Sequence, residues 1–256
     1  MNITVPKKLF LLGGHDLEML TIKQLLERGD DCVVLDRHLR WDTAHLSAYQ
    51  DCLSQYSDYN IFGIELQEDI PTPKNYHRID HHNDYATKPS ALEQVAAAVG
   101  VPLNREQMLI AANDKGYIPE MIAAGATKEE IASIRRRDRE AQGVSEADEK
   151  LAEESIDKHL RRFGSLTVVK SLTSRFSPIC DSLFPYRSLL IYTDAEWMYY
   201  GAGKAGLTQH FAGEIQAGRM FHGGGDNGYI GTVQDIYSQG QIGQFVNQII
   251  EQYEHI

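Results

Sequence analysis

The constraint that narrows the fold most is an alternation in the first 120 or so residues. Short apolar or β-rich stretches take turns with amphipathic ones. KLFLLGG predicts a buried strand ending in two glycines. DLEMLTIKQLLERGD then places Leu17, Leu20, Ile22 and Leu25 at helical spacing, with Gly29 as a stop. CVVLD reads as a second strand, TAHLSAYQDCLSQY as a helix, NIFGIEL as a third strand and YHRID as a fourth. SALEQVAAAVG carries a serine cap and a glycine end, and REQMLIAANDKGYIPEMIAAG is largely helical. Short strands joined through helices must cross over, so they pair in parallel and bury both faces. The expectation is an α/β domain over residues 1–125, a parallel sheet with helices on both faces.

The pattern changes at residues 126–163, a charged, aromatic-poor stretch that reads as two solvated helices linking two lobes. Its basic run, Arg135 to Arg137, reads as a solvated helix face, with nucleic-acid contact as the alternative. Residues 164–256 predict a smaller α+β lobe: strands in SLTVVKSL, SLLIYTD and WMYYGAG, a helix in LTQHFAGEIQAGRMF, the glycine cluster HGGGDNGYIGTV running into a strand, and a closing helix.

Composition excludes some functions. A net charge of −11 argues against gripping a long duplex through many phosphates. No apolar run approaches membrane-spanning length. The N-terminal stretch lacks a small-residue cleavage site, so it does not read as a signal peptide. Cys32, Cys52 and Cys180 are scattered and form no CxxC pair, which points away from disulfides and cysteine zinc sites and towards a cytoplasmic protein.

Ligands of a parallel α/β sheet gather at the carboxyl ends of its strands. At those ends lie His15, Asp16 and Glu18 after the first strand, Asp36 after the second, Glu65 at the third, and Asp80, His81 and His82 after the fourth. Asp114 follows on a later helix. Imidazole and carboxylate suit borderline and hard divalent ions. Each residue also has a structural reading: Asp16 as a helix cap, His15 as a loop residue, Asp36 as a loop anchor, Glu65 as a solvated acid, Asp114 as a partner of Lys115 or an arginine.

LLGGHDLE, FGIELQED, RIDHHNDY and AANDKGYI fall in the order of the four motifs of the DHH phosphoesterase superfamily, which residues 8–120 resemble. FAGEIQAGRMFHGGGDNGYIG resembles, more weakly, the associated C-terminal domain with its glycine-rich substrate loop. The resemblance implies two divalent ions, manganese by preference with magnesium possible, held between two lobes. It implies metal ligands at Asp16, Glu18, Glu65, Asp80, His81 and Asp114, with His15 as the nearest imidazole to the first motif. It implies that Glu65 bridges the ions, and that His82 faces the substrate phosphate with Asp80 beside it in the catalytic role. Gly223, Gly224, Gly225 and Asp226 would bind substrate in a cleft between the lobes. Lys204 is a further candidate for phosphate. The departures are Leu12 where the family often has histidine, glutamates at 18 and 65 where it has aspartates, and Asp226 where it often has histidine.

Two ions about 3.5–4 Å apart can clamp both the attacking and the leaving oxygen of a phosphoryl displacement. The implied activity is hydrolysis of a small phosphorylated substrate, a nucleotide or a short single-stranded oligonucleotide. A degenerate relative that binds a nucleotide or metabolite without cleaving it is one alternative. A protein-interaction module built on the charged helices is another.

Overall fold

β1 (Lys8–Leu12) lies between β2 (Cys32–Asp36) and β3 (Asn60–Ile64), and β4 (Tyr76–Ile79) pairs with β3. All three pairings are parallel, with Leu12 level with Asp36 on one side and Ile64 on the other, and Ile64 level with Ile79. Leu9, Phe10, Leu11 and Leu12 are all buried, as a central strand covered on both faces requires. The computed structural model describes residues 7–29, 32–225 and 227–254, which divide into two units, Met1–Gly143 and Val144–Ile256.

On one face of the first sheet, Leu9, Leu11 and Ile61 pack against Ala44, Leu46 and Tyr49. On the other, α1 (Leu17–Glu27) packs with α3 (Ala91–Val99), α4 (Arg105–Ala123) and α5 (Lys128–Ala141). Ser90 caps α3 in a reciprocal pair with Glu93, and Gly100 ends it at φ 72°. α4 breaks at Gly116 and Tyr117, where φ and ψ leave the helical region just after Asp114.

Residues 43–56 do not form the single helix that their pattern predicts. A 3₁₀ turn at Trp41–Thr43 leads into them, and they make 3₁₀ turns at Leu46–Tyr49 and Ser54–Tyr56 around the one-turn α2 (Gln50–Leu53). Leu46, Tyr49 and Cys52 recur every third residue, which suits three residues per turn. The Tyr49 hydroxyl donates to the Leu12 carbonyl at 2.6 Å, tying this segment to the end of β1.

The two charged helices of the 126–163 stretch fall in different units. α5 packs on α4 and α1, whereas α6 (Glu146–His159) packs on β6 (Leu166–Lys170) and α7 (Ser177–Leu183). The second unit's sheet runs β5-β6-β7-β8-β10-β9, adding β5 (Leu160–Phe163), β7 (Ser188–Tyr192), β8 (Trp197–Gly201), β9 (Met220–Gly223) and β10 (Tyr229–Thr232). Only β6 and β7 pair in parallel. Leu189 and Ile191 face a cluster with α6 and α7, while Leu190 packs with Leu207, Phe211 and, from α10 (Gln239–Glu254), Ile242, Val246 and Ile249. Residues 207–221 are not one helix. α8 (Lys204–His210) and α9 (Ala212–Gln216) meet at Phe211, whose ring enters the core, and the chain then joins the sheet as β9. The glycine cluster therefore turns a β9–β10 hairpin rather than linking helix to strand. Among the described residues, no helix is long and apolar enough to cross a membrane.

Candidate metal centre

The strand order β2-β1-β3-β4 reverses direction between β1 and β3, so the loops leaving these two strands diverge and open a crevice at their carboxyl ends. Gly13 lets the strands close there. Its N–H donates to the Ile64 carbonyl at 2.9 Å, and a Cβ at this position would lie 2.6 Å from the carbonyl oxygens of both Ile64 and Glu65. Glu65 itself has φ 51°, a left-handed conformation that costs a non-glycine residue roughly 1–3 kcal/mol. Its N–H donates to the Ile79 carbonyl at 2.8 Å, which holds the turn in place.

Asp16 caps α1, accepting from the Met19 N–H at 2.8 Å. Glu18, in the first turn, is buried, and its Oε1 accepts from the Leu92 N–H of α3 at 3.0 Å. Its other oxygen points to His81. From His81 Nε2 the distances are 2.6 Å to Asp114 Oδ2, 3.2 Å to Glu65 Oε1 and 3.7 Å to Glu18 Oε2. All four atoms, Glu18 Oε2, Glu65 Oε1, His81 Nε2 and Asp114 Oδ2, are buried without a hydrogen-bond partner. Glu65, His81, His82 and Asp114 each offer a ligand atom within 4.8 Å of the others.

The electrostatics are those of crowded acids. Burial and the charges of Asp114 and Glu65 push Asp16 well above the usual carboxyl range. Burial raises Glu65 despite His81. Burial and Glu18 raise Asp114 to about 6. Burial opposes the charge on His81, but Asp114, Glu18 and Glu65 outweigh it and raise the imidazole to about 12. Buried charge of one sign is costly unless a counter-charge answers it. A divalent cation would take up the orphaned atoms of Glu65, His81 and Asp114 together, and a donor set of mostly carboxylate oxygen with imidazole suits manganese or magnesium. The residues fit the ion.

His82 stands at the edge with its side chain 46% exposed, Nδ1 lying 3.3 Å from Asp80 Oδ1 and 3.7 Å from Glu65 Oε1. Asp80 raises the His82 pKa and also accepts the His82 N–H at 2.9 Å. Asp80 thus lies against His82, not in the four-residue group. His15 lies outside that group too, its ring edge-on to His38 at 5.7 Å between centroids. Asp36 pairs with Lys23 at 2.9 Å and accepts the His38 N–H, as its structural reading expects.

In the second unit, Gly224 and Gly225 have φ 71° and 62°. Lys204, nearly buried, donates from Nζ to the Gly223 carbonyl at 3.0 Å and to that of Gly225, so its ammonium braces the hairpin. Asp226 lies outside the described residues.

Arg135 is not on a solvated face. It is buried, donating to Asn113 Oδ1 at 3.0 Å and Asp138 Oδ2 at 2.7 Å, with its guanidinium over the Tyr117 ring at 4.6 Å. Asp138 Oδ1 accepts from the Leu17 N–H at 3.3 Å. This network clamps the start of α1, between Asp16 and Glu18, to α4 one residue from Asp114. The sequence shows only an arginine three residues before an aspartate, a common surface pairing. Arg136 and Arg137 do lie outward, beside Glu140 and Glu106.

No protein-family model matches the sequence, and no curated protein does. Solved structures do match. A DHH-domain member of the s1p family of ribosomal proteins aligns with a TM-score of 0.53 at 11% identity, over 97% of this chain and 87% of that one. A pGpG-specific phosphodiesterase from Vibrio cholerae aligns with a TM-score of 0.48 at 14% identity, over 97% and 100%. Magnesium-bound RecJ from Thermus thermophilus aligns at 0.47 and 10%, over 98% of this chain and 50% of that one. At this identity the likeness to the first of these shows the fold: the chain shares the fold of that DHH-domain structure.

Proposed function

We propose that the chain is a divalent-metal-dependent phosphoesterase, a hydrolase acting on a small phosphorylated substrate, a nucleotide or a short single-stranded oligonucleotide. The observation that carries this reading is the convergence of four buried, unpartnered ligand atoms from Glu18, Glu65, His81 and Asp114. Manganese is the proposed ion, with magnesium as the substitute, and two ions are proposed. Asp16 and Glu18 would serve the second, with His15 and Asp80 as further candidates beside it. A bound divalent ion supplies Lewis-acid polarisation of the phosphate and a water acidic enough to attack it. The chain's own part is to place the reacting groups. His82, its pKa raised by the hydrogen bond to Asp80, donates a hydrogen bond to a phosphate oxygen where charge develops. Glycines 223–225 of the second unit, braced by Lys204, offer backbone N–H groups to the substrate. The scattered cysteines, with no CxxC spacing among them, fit the cytoplasm.

One observation favours a second reading, a metal-dependent binder that does not cleave. Asp16 Oδ1 and Glu18 Oε1 are already used by the N–H groups of Met19 and Leu92, so each has one oxygen left for an ion. Equilibrium dialysis against manganese, followed by a panel of phosphodiesters and phosphomonoesters, separates the two. Bound metal with turnover supports hydrolysis. Bound metal without turnover across the panel supports the binder. A purified protein that takes up no manganese removes both.

A further inference from the structure

Trp41 stands at the mouth of the metal centre, 49% exposed. Its ring centroid is 6.0 Å from that of His82, with the planes at 63°, and the His82 ring is 4.3 Å from that of His81. The indole is held in place. Its six-membered ring covers Gly14, where a Cβ would come within 2.5 Å of Cη2, and Gly14 has φ 65°. The loop that carries it is tied at each step. Asp36 accepts the His38 N–H at 2.8 Å, Arg37 grips Asp51 at 2.7 and 2.9 Å, and Arg40 and Thr43 bond reciprocally at 3.1 Å. The chain has two tryptophans, and the other, Trp197, is completely buried in the second unit's core. A large apolar face kept in water, on a braced loop, beside the imidazole assigned to phosphate, has the form of a binding platform.

We propose that Trp41 stacks the nucleobase of the substrate, so that the site acts on phosphoesters of nucleosides rather than of sugars or alkyl groups. The proposal rests on the phosphoesterase reading for the position of the phosphate and adds the leaving or retained group beyond it. Stacking on an indole accepts any base, because every base has a π face. His15 follows Gly14, which the Trp41 ring covers, and its own ring meets that of His38 edge to face at 5.7 Å. The substrate class is therefore a nucleotide recognised by its aromatic plane, with little discrimination among bases at this position.

The test uses the full chain loaded with manganese and titrated with adenosine 5′-monophosphate, guanosine 5′-monophosphate or ribose 5-phosphate, following tryptophan emission and affinity. Both nucleotides should quench Trp41 and bind more tightly than ribose 5-phosphate. Trp41→Ala should weaken nucleotide binding roughly 5- to 140-fold, the span of one base stack, and leave ribose 5-phosphate affinity unchanged. Trp41→Phe should retain most of the nucleotide affinity. Equal affinity for nucleotide and ribose 5-phosphate in the native protein overturns the proposal, as does unchanged nucleotide affinity in a folded Trp41→Ala variant. In either case intact manganese binding and phosphoester turnover leave the phosphoesterase reading standing. Failure to bind manganese at all removes that reading and this inference with it.

Discussion

His81→Ala removes the one buried imidazole among Glu18, Glu65 and Asp114. In metal-free protein that imidazole faces all three carboxylates within 4 Å, whereas His82 reaches Glu65 alone, at 3.7 Å. Breaking a buried ion pair by deleting one partner costs about 3–5 kcal/mol. At about 2–4 °C per kcal/mol for a unit of this size, Tm in EDTA should fall by roughly 6–20 °C near neutral pH. The sign of the pH dependence follows from the shifts. The folded pKa of His81 lies above its ordinary 6.5, so its stabilisation is complete below that pH and is lost only as pH rises towards the folded value. Asp114 is raised from 3.8 to about 6, so folded protein binds more protons in that window and loses stability as pH rises through it. Near pH 5 the carboxyls of the variant take up protons in place of the missing cation, so the deficit should narrow. Manganese should act in the opposite sense. Protons compete with it for Asp114, so its stabilisation should be larger near pH 7.5 than near pH 5. At a concentration a hundred times Kd it is worth about 2.7 kcal/mol, or roughly 5–10 °C. The assay is thermal unfolding of native and variant protein at both pH values, with EDTA and with manganese. A variant as stable as native in EDTA at neutral pH, or one that gains as much from manganese, refutes the cluster as a metal centre.

His82→Ala should lower turnover while bound manganese, measured by dialysis and elemental analysis, stays close to native; equal metal loss in His81→Ala and His82→Ala would remove the phosphate-facing role. Gly13→Ala forces a Cβ against two backbone carbonyls that cannot rotate away. It should cost about 1–3 kcal/mol and weaken manganese binding through Glu65, so native Tm and affinity would contradict the close approach of β1 and β3. Lys204→Met strips the ammonium from the Gly223 and Gly225 carbonyls and should raise KM with metal binding unchanged, and Gly224→Val, at φ 71° and with Gly228 Cα 3.0 Å from its Cβ, should do the same. Unchanged KM in both folded variants would take the hairpin out of substrate binding.

The parallel sheet of the first unit was legible in the sequence because its determinants are local. Strands of four or five residues, a serine–glutamate box at Ser90 and a glycine at 100 each act within a few residues of themselves. The acids at the strand ends were legible for a similar reason: parallel pairing sends every carboxyl end to one edge, so Asp16, Glu65 and His81 could be placed near one another before any distance was known. What the sequence could not decide depends on partners remote in the chain. Residues 43–56 wind as 3₁₀ turns because Tyr49 reaches Leu12. Arg135 is buried because Asn113 and Asp138 receive it, and β9 replaces a helix end because β10 is there to pair with it. Glu65 adopts φ 51° and presents its carboxylate to His81 because Ile79 accepts its N–H. A pattern of residue types records which side chains prefer burial or a given backbone, but not which distant atom will complete a hydrogen bond or a charge pair. That choice is made only when the packed chain brings those atoms within about 3 Å of each other.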